Sequence, residues 1–490
     1  MRLSDVRLFP PPVPTPSGTP APRLPRSHPP PRLSPLPQLR TKNKELFISY
    51  PHPYPYPFNH PMTPTLYIRL ATMVFLHYFV WSCWYNTMAV YLGKLEFTGT
   101  QIGLAYGTTA IGALVSPFLI GVIADRFFPT QRVLAILHLL GAGLLWLITK
   151  QTEFGSFYAL LIAYTVTYMA GHALINSLTL QHASTKAFPV IMTSASIGWI
   201  TANFVINLTG RVDNAGMFAL ASAVALGMGL YSFTLPHTPP KGDQGPVSIS
   251  KLLGLDALRL LKDRSFAVFM ICSFLICIPL SFYFTWTGAF ILEVADKQLP
   301  SSILATKAGD LGVYELIVAL VHKIFPGSAK MSLGQISEIG FLLLLPILLV
   351  RFGAKKIMVF GMVAWAVRFA IFALFNEEPN AVHYIWALLG GILLHGMCYD
   401  FIFVMGRMYV DRFAGESIRA SAQGLHAVFT LGAGMFVGSW LSGVVGQHYT
   451  RPDNSHNWTG IWLVPSVMSL LLVPVFVFLF REKPSEDTKA

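Results

Sequence analysis

Three ionisable side chains sit deep in apolar runs towards the C-terminal end of this 490-residue chain: Glu338, Arg368 and Asp400. A charge inside a bilayer costs about 2.5–3.5 kcal/mol on insertion scales, so each needs a partner or a wet cavity. An acid kept in such a place can bind and release a proton in each working cycle. Gln335 lies one helical turn before Glu338 and on the same face. His395 lies just over one turn before Asp400. These residue types at these depths read as a site for a polar solute with a proton relay. The structural alternative is a Glu338–Arg368 ion pair that fixes helix packing, with Asp400 as a gate or packing contact and His395 as a packing histidine.

Helical rise sets the depths. Glu338 is expected about 9–10 Å below the outer face, and Arg368 about 20 Å above the inner one. In a core about 30 Å thick these two share a level and can pair. Asp400 falls about 25 Å below the outer face, nearer the cytoplasm. Earlier in the chain, Asn86, Asn176, Ser194, Ser196, Asn203 and Asn207 offer uncharged polar groups. His77, Tyr78, Trp81, Trp84 and Tyr85 form an aromatic cluster. Such rings can stack on a flat base or sugar, or anchor a helix at the lipid interface.

The elements that must position these residues follow from composition. The chain is 53% hydrophobic and 12% charged. A soluble domain carries roughly a quarter charged residues. Too few ionic groups remain to coat a water-facing surface, which argues against a soluble enzyme. The net charge of +12 does not make a nucleic-acid binder, because half of it belongs to the first 64 residues. No nucleophile–base pair or metal-ligand spacing is visible, and Cys83, Cys272, Cys277 and Cys398 all fall in apolar runs as small buried hydrophobes. Neither a metal nor a cofactor is expected.

Twelve apolar segments are long enough to span, at 66–92, 101–123, 133–149, 157–180, 189–209, 215–235, 266–292, 332–350, 355–375, 383–406, 420–446 and 460–480. Each is expected to be helical, because backbone groups in lipid must satisfy one another. Lys and Arg are about twice as numerous on the side of Arg132, Lys241, Lys355, Arg407 and Arg481 as on the other. By the positive-inside rule that side is cytoplasmic, and so are both termini. The predicted class is an all-α membrane protein of two six-helix halves, residues 65–235 and 266–481. A cytoplasmic linker at 236–265 joins them, with an amphipathic helix from Ile249 to Lys262. An extracytoplasmic insertion near 293–331 carries a surface helix over 311–324. Residues 482–490 form a cytoplasmic tail. Residues 1–64 hold more than half of the 35 prolines and read as a disordered tail, or as sequence upstream of a start at Met62.

The stretch Gly121-Val-Ile-Ala-Asp125-Arg126-Phe-Phe-Pro-Thr-Gln-Arg132 resembles the signature between the second and third helices of the major facilitator superfamily. Gly121 allows close helix packing. Asp125, Arg126 and Arg132 are expected to act in structure and gating, as is Arg368. Arg351-Phe-Gly-Ala-Lys-Lys356 is an echo in the second half.

Further blocks resemble one branch of that superfamily, the nucleoside:proton symporters. They are Leu252–Lys262, Ser332-Leu-Gly-Gln-Ile-Ser-Glu338, Val363-Ala-Trp-Ala-Val-Arg-Phe369, His395-Gly-Met-Cys-Tyr-Asp-Phe401 and Ile418-Arg-Ala-Ser-Ala-Gln-Gly424. The resemblance implies nucleoside import by proton symport through alternating access, by a monomer in the bacterial cytoplasmic membrane. It implies that Gln335 and Glu338 bind the nucleoside, with His395 and Tyr399 at the pocket. It makes Asp400, with Glu338, the proton-coupling acid. Ser196 and Trp199 occupy the family's hydroxyl and aromatic positions. The family's arginine is replaced by Met192, its Trp-Gly pair by Ser194 and Ala195, and its amide side chains by Ser281 and Phe284. A symporter of another small polar solute, such as a sugar, keeps the same acids. A transport-inactive membrane sensor would instead use the Pro-rich tail to hold a partner.

Overall fold

The computed structural model describes residues 62–119, 128–184, 187–239, 254–295, 308–376 and 381–482. Gly121, Asp125, Arg126, the Pro-rich segment to residue 61, most of the central linker and the C-terminal tail after Glu482 lie outside the described residues, as do 296–307 of the insertion.

The first helix, α1 (Pro64–Tyr85), starts where its sequence directs. Pro64 fills the first turn, and Thr63 Oγ1 accepts a hydrogen bond from the Leu66 amide at 3.3 Å. The chain breaks at Asn86 and Thr87 and resumes as α2 (Met88–Lys94). Then come α3 (Gly99–Leu119), α4 (Thr130–Ile148), α5 (Phe154–His182), α6 (Ala187–Leu208) and α7 (Gly216–Ser232). The second half runs through α8 (Arg264–Phe290), α9 (Val313–Ile324) and α10 (Ser332–Phe375). It ends with α11 (Ala381–Leu393), α12 (His395–Tyr399), α13 (Met405–Ala427), α14 (Met435–His448) and α15 (Trp458–Leu479).

Nine helices among the described residues are long and apolar enough to cross a membrane, and Gly216–Ser232 is a shorter apolar one. Lipid-facing character is direct. Leu343, Val350, Leu374 and Phe478 are each more than 70% exposed, whereas Asp400 is buried and Glu338 half-buried.

Two of the expected spans merge in α10, which turns at Gly353 with φ 77° and ψ 163°. Only glycine takes that backbone without strain. The Glu482 carboxylate caps the second arm, accepting from the amides of Ala354 (3.3 Å) and Lys355 (3.1 Å). Lys355 Nζ in turn donates to the carbonyls of Val477 and Phe480 at 2.8 and 2.7 Å, closing the end of α15. α13 folds back in the same way at Gly415, φ 67°. The gaps expected between spans at these corners, 351–354 and 407–419, thus narrow to turns at single glycines.

Helices α1, α4, α5, α6 and α7 pack on one another, and α3 on α5; α10 packs on α11, α12 and α15, and α8 on α14 and α15. The two groups touch through α3 with α14, α2 with α8, and α6 with the turn Gly327–Met331. The amphipathic segment expected up to Lys262 is, over Leu255–Lys262, a 3₁₀ helix docked on α13 and α8. α9, only 12 residues long, is shorter than a bilayer span.

Candidate functional site

The acids sit where α10 and α12 cross. A Cβ on Gly396 would meet the Glu338 amide nitrogen and the Ser337 carbonyl at 2.6 Å, so only glycine allows this approach. Ser337 Oγ fastens the crossing. It accepts from the Gly396 amide at 3.0 Å and donates to the Gly334 carbonyl at 2.7 Å. Beyond Tyr399 the helix widens into a π-helical stretch, Asp400–Val404, a distortion frequent at functional sites. Glu338 and Asp400 act on each other electrostatically, and the Arg407 guanidinium acts on both. Arg407 lies seven residues after Asp400, beyond the π-helical stretch, and is exposed. The sequence analysis counted it only as a cytoplasmic charge.

Asp400 is fully buried, yet neither carboxylate oxygen has a hydrogen-bond partner among the described residues. Gln335 is 7% exposed, and its Oε1 is also unpartnered. Buried acceptors left unmatched are costly unless a proton or ligand meets them. Glu338 and Tyr399 are half-buried beside them.

Arg368 does not pair with Glu338, which corrects the shared-depth expectation. Its side chain is fully buried, with Nη1 3.1 Å from His395 Nδ1. Its guanidinium lies 3.5 Å from the centre of the Tyr283 ring, with Trp365, Phe369 and Phe372 within 6 Å. Helical rise gives depth but not direction, and Arg368 points to α12 and α8. A guanidinium only donates. His395 Nδ1 therefore accepts, and the neutral ring carries its proton on Nε2. The ring also stacks on Tyr283 at 4.8 Å. Arg368 thus fixes the tautomer of His395 while aromatic faces hold its charge.

Of the two α8 residues, Phe284 is half-buried, its ring 5.3 Å from Tyr85 of α1 and 6.5 Å from His395. Ser281 is buried in the α8–α14 contact and donates to the Cys277 carbonyl at 2.9 Å. On α6, Ser196 is half-buried. Trp199 is buried, 5.5 Å from Trp81 and 6.2 Å from Tyr85, and its carbonyl accepts from Ser82 at 2.8 Å. The indole nitrogens of Trp81 and Trp199 have no acceptor. Among the described residues, unmatched buried atoms therefore lie in both halves: the indole donors of Trp81 and Trp199 in the first, and the acceptors of Gln335 and Asp400 with the Arg368 Nε and Nη2 donors in the second. Arg132 is exposed at the start of α4. Beside it, Gln131 holds the linker through His237 (2.9 Å) and the Thr238 amide (3.0 Å), contacts the sequence analysis missed.

Outside the spans, Lys94 pairs with Asp213 and Glu293 with His456, the latter at 2.7 Å. Lys94 holds the Asp213 carboxyl below its ordinary range. Both pairs border a hollow of about 930 Å³ at the ends of α2 and α8. It lies away from Gln335, Glu338 and Asp400. Among the described residues, no group of His, Cys, Asp or Glu is arranged to hold a metal ion.

Two bundles of membrane helices around buried acids and unmatched polar atoms define a solute transporter of the major facilitator fold. The crystal structure of the nucleoside transporter NupG superposes with a TM-score of 0.73 at 29% identity, over 85% of this chain and all of that one. The family model for the nucleoside H+ symporters matches residues 64–485, and the chain belongs to that family. It is 36% identical over 436 residues to the putative nucleoside transporter YegT of Escherichia coli K12, covering 86% of this chain and 95% of that protein. It is 31% identical over 421 residues to the xanthosine permease of the same organism, covering 84% and 96%.

Proposed function

We propose that this protein imports nucleosides with protons across the bacterial cytoplasmic membrane, as a monomer of twelve spanning helices with both termini inside. The carrying observation is the meeting of Gln335, Glu338 and Asp400 at one crossing, with buried oxygens that no group among the described residues satisfies. Gln335 and Glu338 bind ribose hydroxyls or base edges, and His395 Nε2–H and the half-buried Tyr399 complete that wall. Trp81, Trp199 and Phe284 offer flat faces to the base, and Ser196 a hydroxyl. Asp400 with Glu338 takes a proton from outside and gives it up inside.

The transition between states follows from where the halves touch. A Cβ on Gly288 would meet the Asn86 carbonyl at 2.0 Å, and one on Gly99 the Gln447 amide at 2.4 Å. Asn207 Nδ2 donates to Ser328 at 3.0 Å. All of these contacts fall at the ends assigned to the outside, so the outer side is closed. Binding of solute and proton together releases this closure.

The test is uptake of labelled uridine into proteoliposomes with an imposed inward proton gradient, with Glu338→Gln and Asp400→Asn beside wild type. Accumulation by wild type and its loss in both variants supports the reading. Accumulation retained by both variants removes it. Competition by sugars that exceeds competition by nucleosides reassigns the solute.

A further inference from the structure

Three histidines on three helices of the first half form a continuous chain. His77 of α1 is fully buried. Its Nδ1 lies 3.3 Å from His138 Nε2 of α4, and its Nε2 lies 3.3 Å from His172 Nδ1 of α5. Tyr168 of α5 stacks on the His77 ring, centroids 4.2 Å apart and planes within 4°, and its hydroxyl donates to the His77 carbonyl at 3.0 Å. The nitrogens of His77 are both committed to neighbouring rings, and the three rings do not converge on a point where a metal could sit.

The surroundings leave these rings alone. Helices α1 to α7 carry no Asp or Glu. The ionisable groups that act on His77 are His138 and His172. From α5 come Tyr168 and, behind it, Tyr164; on its own helix Tyr78 adjoins His172 at 5.5 Å. α6 has no ionisable side chain. α7 has one, Tyr231, whose hydroxyl is bonded to the Arg69 carbonyl at 3.1 Å. Across the halves, Tyr78 lies within electrostatic reach of Glu338, Tyr399 and Arg407.

We propose that His138, His77 and His172 are a second proton-binding site of the transporter, holding one proton as an imidazolium at His77. This rests on the symport reading above. A charged imidazole has two N–H donors, and here each faces a ring nitrogen able to accept. That arrangement solvates an imidazolium with two imidazoles, and Tyr168 lays a π face on it. In the neutral chain, His172 Nδ1–H donates to His77 Nε2, and His77 Nδ1–H donates to His138 Nε2. A hydronium gives a proton to His172 Nε2 at the half-buried end of the chain. His172 then passes its Nδ1 proton to His77 Nε2, and His77 donates at both ends. Release runs the same steps backwards. Only N–H bonds form and break. A cavity of about 10 Å³ bordered by His138, Tyr164, Thr167 and Tyr168 lies at the other end, at the lower limit for one water. The chain reaches the solute through Trp81, whose ring lies 6.1 Å from His172 and 5.5 Å from Trp199.

The experiment is the steady uridine accumulation ratio in proteoliposomes at several imposed pH gradients, with the membrane voltage clamped at zero. Each coupled proton multiplies the ratio by about ten per pH unit, since one unit is about 1.4 kcal/mol. Wild type must exceed His77→Gln by one such factor. Equal slopes in wild type and variant overturn the proposal, while wild type without any gradient-driven uptake overturns the symport reading instead. If His77→Gln does not fold, ¹⁵N-histidine NMR on the wild type decides. One shared titration of the three rings between about pH 5 and 8, moved by uridine, supports the site. Three rings that stay neutral with and without uridine overturn it.

Discussion

The two halves bury polar groups in opposite ways. In the first, α1 to α7 carry no acid, and the three histidines at their centre satisfy one another. In the second, Glu338 and Asp400 lie beside Arg407, and the side-chain oxygens of Asp400 and Gln335 find no partner among the described residues. Helix packing is similar on both sides. α1 crosses α6 at Gly198, as α10 crosses α12 at Gly396. The difference teaches that the shared scaffold leaves polar chemistry free. The first half chains its buried imidazoles to one another, and the second leaves buried carboxylate and amide oxygens unmatched.

The largest effect that would sharpen this contrast is at the acids. Asp400→Asn should lower the rate of gradient-driven uridine uptake at least 100-fold, the scale of a lost proton-transfer group. Initial rates in proteoliposomes measure it. Next come the crossings. Gly396→Ala drives a Cβ to 2.6 Å from backbone atoms, and Gly198→Ala drives one to 2.3 Å from the Phe75 carbonyl. Each should cost about 1–3 kcal/mol as overpacking, read as a fall in the unfolding midpoint. Only Gly396→Ala should also displace Glu338 and reduce uptake by more than its loss of folded protein. Equal transport losses would break the distinction between the halves.

Arg368→Met keeps much of the volume but removes the donor to His395 Nδ1. Uridine KM should rise about tenfold, in keeping with a charged hydrogen bond worth about 1.5–3 kcal/mol, because His395 no longer has one tautomer. The smallest effect lies outside the spans. Lys94 holds the Asp213 carboxyl below its ordinary range in the folded protein. Its contribution is present above the ordinary carboxylate range and lost as pH falls through the folded value. Both side chains are partly exposed, so Asp213→Asn should cost about 0.5 kcal/mol or less, seen as a flatter pH dependence of the unfolding midpoint below about pH 5.

Much of the architecture was legible because hydropathy and Lys/Arg bias report directly on lipid and sidedness. The ordered motifs around Gln335, Glu338, His395 and Asp400 located the polar crossing. Azimuth was not legible. Arg368 and Glu338 share a depth yet face different neighbours, and only the packed helices reveal it. The histidine chain was hidden for the same reason. Its members lie 61 and 95 positions apart, and nothing local in the sequence joins them. Arg407 carried a usable signal, its seven-residue spacing from Asp400, which its place among the loop charges obscured. The tight corner at Gly353 depends on Glu482, far along the chain, so residues 350–355 alone suggest a longer loop.

The most direct measurement is proton movement itself: the pH of a lightly buffered suspension of proteoliposomes after uridine is added outside, with no gradient imposed. Wild type should alkalinise the medium as protons enter with uridine, and Asp400→Asn should not. Uridine entry by wild type with no change in external pH would contradict the account.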